Sequence, residues 1–252
     1  MAYAESDNPR HTAVVLPPGG IVPRGRLSAG VVLFHGGSWQ RGGPEQFEIY
    51  GQAISDAGMV VVACRYRLIG TDPGVNADSC REDARTAWRW VNRRAESLGI
   101  DRARLAAGGA SAGGNLALSL ATQAVPGDPK PAALWLLNPA FDLVHGGWQE
   151  GAELVSRASL DPLAFSPARQ ELGSLPPTWI AHGMADTTMP IDSVRAFRDR
   201  AAATGRLVEL VEYAGRQHGF FNRDRDPTDV VDVSRRTIRF FESLAWCHPD
   251  SR

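Results

Sequence analysis

Ser111 stands at the centre of Gly109-Ala110-Ser111-Ala112-Gly113, a G-x-S-x-G pentapeptide flanked by Gly108 and Gly114. A lone hydroxyl is a poor nucleophile, so this pattern carries chemistry only with a base to take its proton and an acid to orient that base. Both have candidates downstream. His218, in Gly215-Arg216-Gln217-His218-Gly219-Phe220, supplies an imidazole, a group that exchanges protons readily at neutral pH. Asp186, in Ala185-Asp186-Thr187-Thr188-Met189-Pro190, supplies a carboxylate that would fix the imidazole tautomer and stabilise the imidazolium. Two rivals compete for the acid's place: Asp142, which also follows an apolar run, and Asp192, beyond Pro190 and expected inside a helix. A fourth element is Phe34-His35-Gly36-Gly37-Ser38-Trp39. Acyl transfer puts negative charge on a carbonyl oxygen, and preorganised N–H donors must meet it. Gly36 and Gly37, with Ala112 after the nucleophile, are the expected oxyanion hole.

These residues are useful only if the chain holds them at the ends of neighbouring elements. The apolar run Leu105 to Ala107 precedes the pentapeptide and Asn115 to Leu120 follows it, giving strand, sharp turn and helix. Further buried strands are expected at Val31 to Phe34, Met59 to Ala63, Ala132 to Leu137, Thr178 to Ala181 and Leu207 to Val211. Helices are expected at Pro44 to Ala57 and after Pro190, where Val194, Phe197 and Ala201 recur. Another runs from Ala77 to Leu98, with Cys80, Ala84, Ala87, Trp88, Val91, Ala95 and Leu98 on one face. A last helix is marked by Val231, Ile238, Phe241 and Ala245. Such alternation predicts a mostly parallel sheet with helices on its faces, built of βα units throughout. Residues 138–177 break the rhythm, with Gly146, Gly147, Trp148 and several prolines but no clear strand; an irregular substrate wall or small lid is the expectation.

Composition narrows the class. A 252-residue chain fits one domain, with a catalytic core at about 29–246. Its 27 basic and 28 acidic residues leave a formal charge of −1, so no long-range field recruits nucleic acid or an anionic membrane surface. A small or neutral partner is expected. Cys64, Cys80 and Cys247 have no metal-site spacing and read as ordinary thiols. No secretion signal or membrane-spanning run is visible, which makes a cytoplasmic setting the default while leaving a secreted or periplasmic parent open. A phosphate-binding reading of the glycines fails, because no G-x-G-x-x-G follows the first strand and no Lys follows the glycine cluster. His35 and His182 read as loop braces, His11, His145 and His248 have no chemical context, and Trp39, Trp148 and Phe220 are either pocket walls or packing residues.

Taken together, the His-Gly-Gly loop, the pentapeptide and the order Ser, Asp, His resemble the α/β-hydrolase superfamily. Within it they look like hormone-sensitive-lipase-like enzymes and the carbohydrate acetylesterases and feruloyl esterases. The resemblance implies an α/β-hydrolase fold and a cofactor-free serine ester hydrolase working through an acyl-enzyme on short acyl esters, O-acetylated carbohydrates among them. Two departures stand out. About thirty residues precede the first strong strand, so no large helical cap is expected, and Ser38 occupies the place of a third glycine in many relatives. Two alternatives stay open: an amide hydrolase similar to kynurenine formamidase, and a hydrolase-like protein that binds without catalysis.

Overall fold

The computed structural model describes residues 1–3, 8–19, 26–144 and 147–247. His145, Gly146 and His248 therefore lie outside the described residues. Among the described residues seven strands form one sheet: β1 (Ala13–Leu16), β2 (Ser28–Phe34), β3 (Val60–Cys64), β4 (Ile100–Ala110), β5 (Ala133–Leu137), β6 (Thr178–Gly183) and β7 (Val208–Tyr213). Their spatial order is β1-β3-β2-β4-β5-β6-β7, and every neighbouring pair is parallel except β1 with β3. The sheet is covered by the helices α1 (Glu48–Asp56), α2 (Ala77–Arg94), α3 (Ala112–Thr122), α4 (Gln149–Arg157), α5 (Ile191–Ala203) and α6 (Pro227–Ser243).

Successive side chains of a strand point to opposite faces, and the central strands have apolar residues at both parities. Val32 and Phe34 of β2 pack on one side with Trp88, Leu116, Phe197 and Val155. Val31 and Leu33 pack on the other with Tyr50, Ile54, Phe240 and Phe241. Thus α2, α3, α4 and α5 cover one face, and α1 and α6 the other. Local signals agree with this packing: Asn76 and Ser79 close a reciprocal capping box at the start of α2, and the Asp226 side chain caps α6 ahead of Pro227.

Several expectations need correction. The chain is not βα throughout: β1 is an antiparallel edge strand, pairing Ala13 with Cys64 and Leu16 with Val61, ahead of the first expected strand. Four residues ahead of Pro17 bury too little to announce themselves. Residues 138–177 are not wholly irregular, since they contain α4 and a short 3₁₀ turn at Pro167–Arg169. The predicted helix starting at Pro44 opens as a 3₁₀ turn, Pro44–Phe47, before α1. In α6 the packed residues include Val230 and Val233, whereas Val231 is 66% exposed, and Ala245 lies past the helix end. No helix among the described residues is long and apolar enough to cross a membrane.

The tightest packing is where β2, β4 and α3 meet. A Cβ added at Gly109 would strike the Gly113 carbonyl, and one at Gly113 would fall on the carbonyls of Phe34 and His35. These neighbours are backbone atoms that cannot swing away. Gly113→Ala is therefore expected to cost several kcal/mol, at the severe end for a single substitution. A thermal melt matching that of the unsubstituted protein would contradict this reading of the junction.

Candidate active site

Ser111 links β4 to α3 with φ 50° and ψ −118°, a left-handed conformation that few non-glycine residues adopt. Its backbone is held from both sides: the N–H donates to the Leu137 carbonyl at 2.9 Å, and its carbonyl accepts from Ala140 at 3.0 Å and Asn115 at 3.2 Å. The side chain is thereby turned out of the sheet's end. Ser111 Oγ lies 2.8 Å from His218 Nε2, and His218 Nδ1 lies 2.7 Å from Asp186 Oδ2. An ionised carboxylate only accepts, so Nδ1 carries the hydrogen and Nε2 is left to accept from the serine hydroxyl. The three residues come from the ends of β4, β6 and β7 and meet above the carboxyl ends of the parallel strands, where open α/β sheets bind ligands.

The Asp186 side chain is fully buried. Oδ2 also accepts from Asn138 Nδ2 at 2.6 Å, and Oδ1 accepts from the N–H groups of Thr188 and Met189, each at 2.9 Å. Burial pushes this carboxyl upward, but the His218 hydrogen bond, the His218 charge and the Met189 N–H together outweigh it, and its pKa falls below the usual carboxylate value. Asn138, at φ 41°, is a support absent from the sequence expectations, whereas His182 braces this loop as expected. His182 Nε2 donates to the Met189 carbonyl at 2.8 Å and sits 3.3 Å from Asp186 Oδ2. Burial depresses its pKa and keeps it neutral. An Asn-Pro pair directly after an apolar run was the clue the sequence held to Asn138.

Both rival acids are employed elsewhere. Asp142 is held by Arg169 at 2.6 Å and by the Val144 N–H at 3.0 Å. The Asp192 carboxylate is 88% exposed in the first turn of α5.

The oxyanion loop departs from expectation at one donor. The Gly36 N–H is already engaged, donating to Gln46 Oε1 at 2.7 Å. Among the described residues the N–H groups of Gly37, Ser38 and Ala112 have no acceptor. Gly37 has φ 112°, and any Cβ there would collide with the Arg41 carbonyl, so only glycine fits this turn. Ala112 is the first residue of α3, where helix N–H groups lack internal partners and the dipole favours negative charge. The free donors near Ser111 are thus Gly37 and Ala112, joined by Ser38 rather than Gly36. Ser38 Oγ donates to Glu150 Oε2 at 2.8 Å, fastening the loop to α4.

A cleft of about 560 Å³ opens over Ser111 and His218. Its walls include Arg41, Gln46, Glu150, Thr188 and Asn222, and among the described lining residues Phe221 is the one large apolar side chain. The aromatic residues weighed as pocket walls belong instead to the packing. Trp39 and Trp148 are buried against each other with ring centroids 4.7 Å apart, and Phe220 packs on Tyr213 at 4.6 Å.

A parallel sheet with a serine elbow, a His on the loop after the last strand and an Asp on the loop after the strand before it defines the α/β-hydrolase class. The family model for the alpha/beta hydrolase fold matches residues 31–222, and the chain belongs to that family. Carboxylesterase NlhH of Mycobacterium tuberculosis is 30% identical over 219 residues, covering 76% of this chain and 66% of its own. The chain thus spans just under two thirds of that relative's length. Ethyl acetate hydrolase of Pseudomonas putida is 40% identical over 96 residues, covering 38% of this chain and 29% of its own. Among solved structures, the apo form of Thermogutta terrifontis esterase 2 is similar with a TM-score of 0.87 and 31% identity, over 99% of this chain and 96% of that one. The same esterase has been solved bound to propionate and phosphonylated by sarin.

His35, behind the oxyanion loop, generates a pH prediction. Its Nδ1 donates to the Gly36 carbonyl at 2.8 Å, its ring stacks on Tyr66 at 4.2 Å, and burial lowers its pKa from 6.5 to about 4. Between those values the unfolded chain binds the proton and the folded one does not, so stability contributed by neutral His35 is lost on acidification. The stability difference between the unsubstituted protein and His35→Gln should shrink by up to about 3 kcal/mol from pH 6.5 to pH 4. Parallel denaturant titrations check this; a difference independent of pH would refute it.

Proposed function

We propose that this chain is a serine ester hydrolase acting through an acyl-enzyme on short acyl esters with polar alcohol parts. The observation that carries the reading is the pair of hydrogen bonds from Ser111 to His218 at 2.8 Å and from His218 to Asp186 at 2.7 Å. In the first half-reaction Ser111 Oγ attacks the ester carbonyl as its proton passes to His218 Nε2. The carbonyl π pair moves to oxygen, and this oxyanion accepts from the N–H groups of Gly37 and Ala112, each donor being worth about 3 to 4 kcal/mol in such sites. Collapse expels the alkoxide, which leaves as an alcohol with the proton from His218. Water then attacks the acyl-enzyme with His218 again as base, releasing the acid and restoring Ser111.

The cleft supports the choice of substrate. Its polar rim offers hydrogen bonds to hydroxyl groups, as O-acetylated carbohydrates would present, and Phe221 is the one large apolar side chain that the described lining residues offer to an acyl chain. Propionate bound to the Thermogutta esterase and the names of the Pseudomonas and Streptomyces relatives, ethyl acetate hydrolase and acetyl-hydrolase, point the same way for the acyl group. We read 138–177 as one wall of this cleft, because Glu150 of α4 reaches both the cleft and Ser38.

The expected outcome is faster hydrolysis of p-nitrophenyl acetate than of the octanoate, with kcat reduced by about 10⁴-fold or more in Ser111→Ala. A preference for octanoate would overturn the substrate reading. Full turnover by Ser111→Ala would overturn the mechanism.

A further inference from the structure

The base and the oxyanion donors stand on loops rooted far apart. The oxyanion loop follows β2 and the His218 loop follows β7, with β4, β5 and β6 between them in the sheet. At the usual strand spacing those roots are about 19 Å apart. Acyl transfer needs the two loops aligned to within a fraction of that distance.

One continuous chain of hydrogen bonds crosses the gap. The Gly36 N–H donates to Gln46 Oε1 at 2.7 Å, Gln46 Nε2 donates to Asn222 Oδ1 at 3.0 Å, and Asn222 Nδ2 donates to the Gly219 carbonyl at 3.0 Å. It starts one residue before the free donor of Gly37 and ends one residue after His218. Its direction is forced. A backbone N–H at one end must meet an oxygen of Gln46, which turns the Gln46 nitrogen toward Asn222. The Gly219 carbonyl at the other end must meet the Asn222 nitrogen, which turns the Asn222 oxygen toward Gln46. Both amide orientations follow from the ends, and aligned dipoles in such a series strengthen one another. The two side chains are half-buried and line the cleft beside Ser111.

We propose that Gln46 and Asn222 are positioning residues for ester hydrolysis, acting as one strap that holds the oxyanion loop in register with His218. The proposal rests on the hydrolase reading above. The strap does not touch the reacting atoms; it fixes the peptide plane that leads into the Gly37 N–H and the backbone that carries His218. Losing a whole oxyanion donor costs about 10²- to 10³-fold in kcat, and a donor kept but loosely held should cost less, about tenfold.

The test combines kinetics with an observable that needs no substrate. Gln46→Ala and Asn222→Ala should each lower kcat for p-nitrophenyl acetate about tenfold with KM changed less than about twofold, and the double substitution should be no worse than the poorer single. Gln46→Glu, which still accepts from Gly36 but has no donor for Asn222, should fall to the level of Asn222→Ala. Residue-resolved amide exchange on the substrate-free proteins should show faster exchange at Gly36 in Asn222→Ala, although Asn222 does not touch that amide. Unchanged kcat in the single variants, multiplicative losses in the double, or unaltered exchange at Gly36 would each overturn the strap. Exchange does not depend on turnover, so a protein inactive on every ester would fail the hydrolase reading without deciding this one.

Discussion

The close approach of three backbone segments, the end of β2, the end of β4 and the first turn of α3, governs what the site can be. Gly109 and Gly113 let these segments pass with no side chain between them, and the Ser111 backbone is forced into a left-handed conformation at the crossing. A conformation of this kind costs about 1 to 3 kcal/mol, which the surrounding packing must offset. The hydrogen bond that Ser111 donates to Leu137 and those it accepts from Ala140 and Asn115 are the local part of that support. In return the hydroxyl projects beyond the sheet, and the same crossing brings the Gly37 loop, which follows β2, alongside the N-terminus of α3. The proposed nucleophile and anion site thus arise from a single packing event.

Electrostatics completes what packing begins. Asp186 has no solvent exposure at its side chain, and an isolated buried carboxylate would take up a proton. Donors from Asn138, Thr188, Met189 and His218 reverse that tendency and hold the charge. The charged carboxylate then dictates which nitrogen of His218 carries hydrogen, and so which one faces Ser111. His35 and His182 do the opposite service: both are kept neutral by burial and brace the loops without adding charge near the base.

The legible parts of the sequence were those where one residue type has one physical use. The pentapeptide, the apolar runs of β2, β3 and β5, and the three- and four-residue spacing of α2 each pointed to an element in the structure. The Asp and His loops were legible by their place after late strands. Three things escaped for physical reasons. The β1 strand is short and gains its stability from pairing with β3, a long-range contact with no local signature. The α4 helix lies in a proline- and glycine-rich segment and is anchored by tertiary contacts such as Glu150 to Ser38. The third was the state of the Gly36 N–H. A His-Gly-Gly motif places the loop but says nothing of which N–H group a distant Gln46 will occupy. Side-chain amides that reach across loops leave no periodicity for a sequence reading to detect.

The proposed mechanism makes Ser111 a nucleophile primed by His218. Its most direct test is the rate and site of covalent labelling by a fluorophosphonate, followed by mass spectrometry of the intact protein and its peptides. One adduct per chain is expected, located at Ser111, with labelling slowed by orders of magnitude in a folded His218→Ala protein. An adduct at another residue, no adduct on the folded protein, or the same rate without His218 would contradict it.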